Sequence, residues 1–369
     1  IAIASAVAAP VAMADAPKVY GQFNMAIDMN SAYANFNSTK NTLGVEKGMD
    51  VVHRNSRLGV KGSEDLGNGL KAVYQMEGTI AYQSFQADRN TFAGLAGGFG
   101  TVVMGRHDTP LRMIQPKDGF ADSKAAGNNT SNFTGLDNSG EDRINNVLAY
   151  LSPSFNGISF AVAGASIFTG TDEGVNEYGK NDVLGDGAND YSESGLTNAI
   201  SASVSYGSKK SGIYVAAGVT QVGESNKDAK DDRQNTRLTV QYNEGGMLGY
   251  VMYNQLTNGD GYKSTVAASE QAEGTTITVG GAYKMGAITP RAKLAMITYG
   301  EKKAAAGATK AEDSSMSMAV GADYALGKQT RVYAEFAALD KNNRKLTAVD
   351  SEGKGTDFTA VSVGFFHKF

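Results

Sequence analysis

Nine residues, Val361-Ser362-Val363-Gly364-Phe365-Phe366-His367-Lys368-Phe369, carry the pattern that decides the fold. Their apolar side chains stand at positions 361, 363, 365 and 369, which is the period of two that a β-strand produces. An aromatic residue completes this strand, whereas most soluble domains fray in polar sequence at this point. We therefore expect a sheet that is closed on itself and whose outer face meets an apolar medium.

The same alternation begins near the other end of the chain and returns throughout it. Over residues 19–29 the odd positions are apolar or glycine, and most of the even positions are polar. In the next predicted strand Leu58 and Val60 share one face, while Arg57 and Lys61 share the other. Further strands are predicted near 70–77, 91–96, 101–106, 143–151, 157–166, 198–206, 212–220, 234–242, 247–254, 274–283, 290–299, 314–324, 330–339 and 357–369.

The connections between these strands alternate in length. Tight connections lie at 152–156, 207–211, 243–246, 284–289 and 325–329. Long polar connections lie at 31–50, 107–142, 167–197, 221–233, 255–273, 300–313 and 340–356. Short turns on one rim and long loops on the other are typical of an outer-membrane barrel. The pattern predicts an all-β, transmembrane, antiparallel up-and-down β-barrel of about 16 strands, with short periplasmic turns and long extracellular loops.

Composition limits the alternatives. The chain has 369 residues, and this length alone would suggest two or three soluble domains, yet no change of composition marks a linker. A formal net charge of −4 is too mild to imply a nucleic-acid partner. The absence of cysteine excludes disulfides and thiolate metal sites. We expect residues 15–369 to form a single barrel pore domain.

The first 14 residues, IAIASAVAAPVAMA, are uncharged and rich in small side chains. They end in Ala12-Met13-Ala14, which matches the A-x-A pattern of a signal-peptidase site. We expect residues 1–14 to be the remainder of a secretory signal peptide; the alternative is a short buried helix.

Catalysis is not expected. The three histidines are His53, His107 and His367, and none of them belongs to an H-E-x-x-H motif. No G-x-S-x-G motif occurs. We therefore expect neither an enzyme nor a metal or cofactor site.

Two blocks of sequence carry a family resemblance. Ser56-Arg57-Leu58-Gly59-Val60-Lys61-Gly62-Ser63-Glu64-Asp65-Leu66-Gly67-Asn68-Gly69-Leu70 and Gly97-Gly98-Phe99-Gly100-Thr101-Val102-Val103-Met104-Gly105-Arg106 resemble the general porins of Gram-negative outer membranes. The last strand also resembles theirs, which implies that Phe365 and Phe369 serve as its assembly signal.

The resemblance implies a 16-stranded barrel that assembles as a homotrimer among outer-membrane lipid and lipopolysaccharide. It implies passive diffusion of ions and small polar solutes through a water-filled channel. In that family the third long loop folds into the lumen, and segment 107–142 fits this loop by position.

Charged residues that line a channel tune its selectivity. The expected wall residues are Arg57, Lys61, Lys71, Arg106 and Arg143, with Glu77 as a wall carboxylate. The expected loop carboxylates are Asp118 and Asp122. Because the wall set is basic, we expect a weak anion preference; the alternative is that these are solvated lumen charges without a focused role.

Three other functions stay open from the sequence. The barrel could be a solute-specific outer-membrane channel or a structural or adhesive surface barrel. The chain could also be a soluble secreted β-protein such as a sandwich, since one alternating strand serves either fold.

Overall fold

The computed structural model describes residues 16–36, 47–81, 84–120, 126–127, 133, 136, 143–166, 195–222, 233–257, 274–300, 314–343, 346–349 and 356–369. The strands and the one short helix of these residues are β1 (Lys18–Asn30), β2 (Tyr33–Phe36), β3 (Gly48–His53), β4 (Arg57–Gly67), β5 (Leu70–Ala81), β6 (Ser84–Gln86), β7 (Thr91–Gly97), β8 (Gly100–Asp108), α1 (Pro110–Met113), β9 (Arg143–Leu151), β10 (Ile158–Ala165), β11 (Ala199–Ser208), β12 (Ser211–Val222), β13 (Arg233–Glu244), β14 (Met247–Thr257), β15 (Gly274–Tyr283), β16 (Ile288–Tyr299), β17 (Ser314–Ala325), β18 (Thr330–Leu339), β19 (Leu346–Val349) and β20 (Phe358–Lys368).

The main sheet closes on itself. Strand β1 pairs with β20 on one side, from Gln22↔Lys368 to Asn30↔Ala360, and with β3 and β4 on the other. Every pairing around the sheet is antiparallel, and the strands follow one another in chain order. The 18 strands of this sheet make a 16-stranded barrel, because two barrel strands are each broken into two segments. The predicted up-and-down barrel is confirmed.

The two breaks flank β5. Residues 54–56 separate β3 from β4, and the left-handed backbone of Asn55 (φ 56°) interrupts the ladder there. Residues 87–90 separate β6 from β7, where the Asp88 carboxylate accepts hydrogen bonds from the Thr79 amide and hydroxyl. The expected loops at 31–50 and 340–356 are wrong for 33–36, 48–50 and 346–349, which lie in β2, β3 and β19.

Burial in the barrel is the reverse of that in a soluble domain. On β13 the polar side chains of Arg237, Thr239 and Gln241 are almost completely buried, while Leu238 and Val240 are each 51% exposed. On this strand polar residues face the lumen and apolar residues face outward, as expected for a barrel in lipid and not for a soluble sandwich. Within the described ranges, no helix is long and apolar enough to cross a membrane.

The connections divide between the two rims as predicted. Tight turns such as 209–210 and 245–246 lie at one rim, and the longer connections lie at the other. Exposed aromatic rings gather near the short-turn rim, where a girdle of aromatic side chains marks the boundary of the apolar band. These rings are Phe99, Phe155, Phe160, Tyr206, Tyr242, Tyr283, Tyr324, Phe365 and Phe369.

A second, two-stranded sheet stands apart from the barrel. Strand β2 pairs with β19 in antiparallel register, with Ala34 opposite Ala348. This ribbon, β2 with β19, joins the connection that follows β1 to the connection that precedes β20. It therefore links two long connections on either side of the place where the barrel closes.

The connection between β8 and β9 turns inward; its described residues, 109–120, 126–127, 133 and 136, are called loop 3 here. It starts with α1, capped by Thr109, whose hydroxyl accepts a hydrogen bond from the Arg112 amide at 3.2 Å. Leu111 and Ile114 then pack on Tyr214 and Ala216 of the inner wall. The predicted insertion of segment 107–142 into the lumen is thus confirmed for loop 3, although residues 107–108 still belong to β8.

Candidate pore constriction

Charged side chains converge where loop 3 leaves the barrel wall. The arginine cluster comprises Arg57 on β4, Arg89 in the break before β7, Arg106 on β8, Arg112 on α1 and Arg143 on β9. Three acidic residues lie beside these arginines: Glu77 and Asp108 through their carboxylates, and Asp88 through its backbone carbonyl. The five arginines outnumber the three acidic residues, so these eight residues together carry a positive formal charge.

Glu77 is the first centre of this cluster. Strand β5 turns Met76 outward, so the alternation of the strand turns Glu77 into the lumen. Its carboxylate pairs with Arg89, lies 3.9 Å from Arg57 Nε, and accepts a 2.8 Å hydrogen bond from the Tyr20 hydroxyl. These contacts fix the two guanidinium groups along one side of the lumen.

Asp108 is the second centre, and two arginines share it. Its Oδ1 atom lies 2.9 Å from Arg112 Nε and 3.0 Å from Arg143 Nε. Asn90 Nδ2 donates to the other carboxylate oxygen at 3.0 Å. Because one negative charge faces two positive ones, the group formed by Asp108, Arg112 and Arg143 is positive overall.

Arg106 contacts neutral acceptors in the same region. Its Nε donates to the Asp88 carbonyl at 2.9 Å, and its Nη1 donates to Asn145 Oδ1 at 2.8 Å. The Asp88 side chain meanwhile accepts hydrogen bonds from Thr79. Charges of one sign on a low-dielectric wall focus the field into the water beside them.

The inner wall formed by β1, β20, β18, β17 and β16 carries charge of both signs. There a chain of alternating acids and bases runs from strand to strand: Asp28, Arg54, Glu335, Arg291, Asp323 and Arg331. Arg54 lies 3.1 Å from Glu335, and Arg291 lies 2.7 Å from the other oxygen of Glu335. Since acids and bases are equal in number, this chain of six residues has no formal net charge.

Loop 3 crosses the lumen and covers part of that wall. The Lys293 ammonium on β16 lies 2.6 Å from Asp118 Oδ2 and donates to the Gly127 carbonyl at 3.1 Å. The rings of Phe120 and Phe133 stand 5.0 and 4.2 Å from the same ammonium. Asp118 therefore points from the loop toward the barrel wall.

A second lysine reaches loop 3 from the short-turn rim. Lys209, in the turn between β11 and β12, donates to the carbonyls of Met113 and Gln115 at 2.7 and 2.9 Å. Burial lowers the pKa of the Lys209 ammonium, the like charge of Lys117 lowers it further, and Asp108 opposes both.

The structure brings together four of the residues expected from the sequence: Arg57, Glu77, Arg106 and Arg143 all belong to the cluster. Lys61 and Lys71 are exposed on the parts of β4 and β5 that lie toward the short turn joining them. Lys61 Nζ stands 5.0 Å from the centre of the Tyr20 ring. Asp122 lies outside the described residues. Phe365 and Phe369 both face outward, and Phe369 exchanges two 3.1 Å backbone hydrogen bonds with Gly21.

Several charged residues of the lumen are not among those expected from the sequence, for two reasons. Arg54 and Arg89 lie in the strand breaks, where alternation along the sequence no longer predicts whether a side chain faces the lumen or the lipid. Arg112 lies on α1, outside any strand. By contrast, Arg291 and Glu335 lie at inward positions of strands that were predicted, so the period of two could have found them.

Among the described residues, no group of three or more histidine or acidic side chains is arranged to hold a metal ion. A closed barrel with a polar interior, an apolar exterior and a loop folded across its lumen defines a membrane pore.

Comparison with known proteins identifies the kind of pore. The sequence profile of the Gram-negative porins matches residues 1–344. The major outer membrane protein P.IB of Neisseria sicca is 28% identical over 381 residues, covering 100% of this chain and 99% of the relative. The protein of the same name from Neisseria meningitidis serogroup A is 27% identical over 381 residues, covering 100% and 98%.

Solved structures agree on the fold. The anion-selective porin from Comamonas acidovorans superposes with a TM-score of 0.65 at 20% identity, covering 96% of this chain and 99% of that one. OmpF of Salmonella typhi, solved with daunomycin, gives 0.63 at 16% identity, covering 96% and 97%. The chain belongs to the Gram-negative porin family. It is an outer-membrane channel through which ions and small polar solutes diffuse.

Proposed function

We propose that this porin has a weak preference for anions and that the arginine cluster sets it. The observation that carries the proposal is the composition of the cluster: among the described residues, five arginines (Arg57, Arg89, Arg106, Arg112 and Arg143) outnumber the three acidic residues beside them, Glu77, Asp88 and Asp108. Rings of Arg and Lys favour anions in pores. Because Asp118 is paired with Lys293, it opposes the cluster only weakly.

The relatives support the proposal and extend it. The structural neighbour from Comamonas acidovorans is described as anion-selective, and OmpT of Vibrio cholerae has been solved in a trimer form. We infer a homotrimer held among outer-membrane lipid and lipopolysaccharide, with no catalytic activity. Lys61 and Lys71 add to the lumen charge, and Asp122 is a loop carboxylate of the pore. Residues 1–14 are removed on export, and Phe365 and Phe369 guide assembly.

Reversal potential in a salt gradient tests the anion preference. Arg106→Glu reverses one charge in the cluster, so we expect the reversal potential across planar bilayers to move toward cation preference. Lys284→Glu makes the same charge change in an exposed short turn and is expected to move it far less. We expect the difference in reversal potential between the two variants to shrink as salt rises from 0.1 M to 1 M. The Debye length falls from about 10 to about 3 Å over this range, so salt screens the charge at position 106 more strongly. Equal potentials for both variants would remove Arg106 from the selectivity site.

A further inference from the structure

The turn between β11 and β12 is shaped to carry a side chain into the barrel. Gly207 and Gly212 on either side of it adopt left-handed backbone angles of φ 80° and 72°. A Cβ atom on Gly207 would stand 2.1 Å from the Ile213 carbonyl oxygen, so only glycine fits there. The resulting bulge leaves Lys210 exposed and Lys209 half-buried beneath loop 3.

The backbone of this turn is fixed by the neighbouring strand. Gln241 and Asn243 of β13 each donate a side-chain hydrogen bond to the Lys209 carbonyl at 2.9 Å. The other end of the Gln241 amide accepts a 2.8 Å hydrogen bond from the backbone of Lys117 in loop 3. One buried glutamine thus joins the periplasmic turn to the loop in the lumen.

The Lys209 side chain makes the second link. Its ammonium donates to the carbonyl of Met113, the last residue of α1, and to that of Gln115, two residues further on. Carbonyls at the end of a helix lack partners within the helix and carry partial negative charge, so a cation satisfies them. The ring of Tyr214 stands 5.7 Å from the same ammonium and limits its movement.

We propose that Lys209 is a positioning residue for the constriction: from the periplasmic turn it holds residues 113–117 of loop 3 against the inner wall and so sets the width of the open channel. The permeating ions do not need to touch Lys209. Its effect passes through loop 3, which carries Arg112 of the arginine cluster at its base. The proposal concerns the width and steadiness of the pore, and it stands whether or not the pore prefers anions.

Single-channel recording tests the role of Lys209. Lys209→Met keeps the length of the side chain and removes the ammonium, so we expect open-channel current fluctuations to rise several-fold, with brief partial closures. Lys210→Met removes the same charge from the exposed neighbour in the same turn and is expected to leave the current trace unchanged. Lys209→Arg retains a cation that reaches both carbonyls, and we expect it to restore a steady current. Identical traces for the Lys209→Met and Lys210→Met channels would overturn the proposal.

The rate at which a thiol in loop 3 is modified tests the same proposal without relying on current fluctuations. The natural chain has no cysteine, so Gln115→Cys introduces a single thiol into loop 3 while keeping the backbone carbonyl that Lys209 contacts. We expect a water-soluble thiol reagent to modify Cys at this position several-fold faster when Lys209→Met is also present. If Lys209→Met does not assemble, Lys209→Gln, which retains one donor, is expected to give an intermediate rate. A modification rate that is unchanged in the variant that folds would refute the proposal.

Discussion

Lys293 and Asp118 show how strongly loop 3 depends on single residues. Their charged atoms lie 2.6 Å apart, and both side chains are almost completely shielded from solvent. Asp118 also accepts a 2.7 Å hydrogen bond from the Phe120 amide, which shapes the loop locally. A buried ion pair adds little net stability, but removal of one partner leaves an uncompensated charge.

We therefore expect Lys293→Met to lower the free energy of unfolding by about 3–5 kcal/mol. The double variant Lys293→Met with Asp118→Asn has no orphaned charge and keeps an acceptor for the Phe120 amide, so it is expected to regain most of that loss. Urea unfolding of the refolded barrel in lipid vesicles measures both. A single variant as stable as the double variant would show that the pair does not hold loop 3.

At the level of elements, the seam between β1 and β20 is the place where the barrel closes. Gly21 there meets Phe369 through two backbone hydrogen bonds, and a Cβ on Gly21 would lie 2.5 Å from the Arg57 carbonyl oxygen. We expect Gly21→Ala to destabilise the barrel by about 1–3 kcal/mol, because a strand would have to shift.

Gly249 provides the control for this seam. It also lies within a barrel strand, β14, but a Cβ there would meet no atom within 4 Å. Samples of both variants are heated to a series of temperatures and run on a gel, where the folded barrel migrates faster than the unfolded chain. The temperature at which the fast band disappears is compared between the two variants. Equal temperatures for Gly21→Ala and Gly249→Ala would mean that the seam tolerates the extra methyl group.

The elements also show how far the sequence predicts the structure. Strands such as β13 keep a strict alternation, because each residue must suit either lipid or water, and for these strands the facing of every residue follows from the sequence. At Arg54 and Arg89 the ladder is broken, and the hydrogen bond from Arg89 Nη1 to Asn55 Oδ1 at 2.5 Å joins one break to the other. Such contacts between distant segments leave no periodic trace, so the positions of Arg54 and Arg89 in the lumen could not be predicted from the sequence.

At the scale of the whole molecule, the outward apolar band fixes the barrel in the membrane. Leu238, midway along β13, is 51% exposed, and Leu326, in a short turn, is 58% exposed. Leu238 faces away from the lumen and lies deep in the bilayer, whereas Leu326 lies at the short-turn rim.

We expect Leu238→Arg to cost about 2–4 kcal/mol of stability and Leu326→Arg about 0–1 kcal/mol, since the penalty for a charge depends on its depth in the bilayer. Reversible unfolding in lipid vesicles measures the difference. Similar costs at the two positions would contradict the inverted burial on which the membrane assignment rests.

The ribbon of β2 and β19 has a consequence for the living cell. Its two strands come from the early and the late parts of the chain, so neither can find its partner until nearly the whole polypeptide has been delivered. Fragments and stalled intermediates lack this paired epitope. An antibody that recognises the two strands together would therefore report completed molecules at the cell surface and ignore the rest.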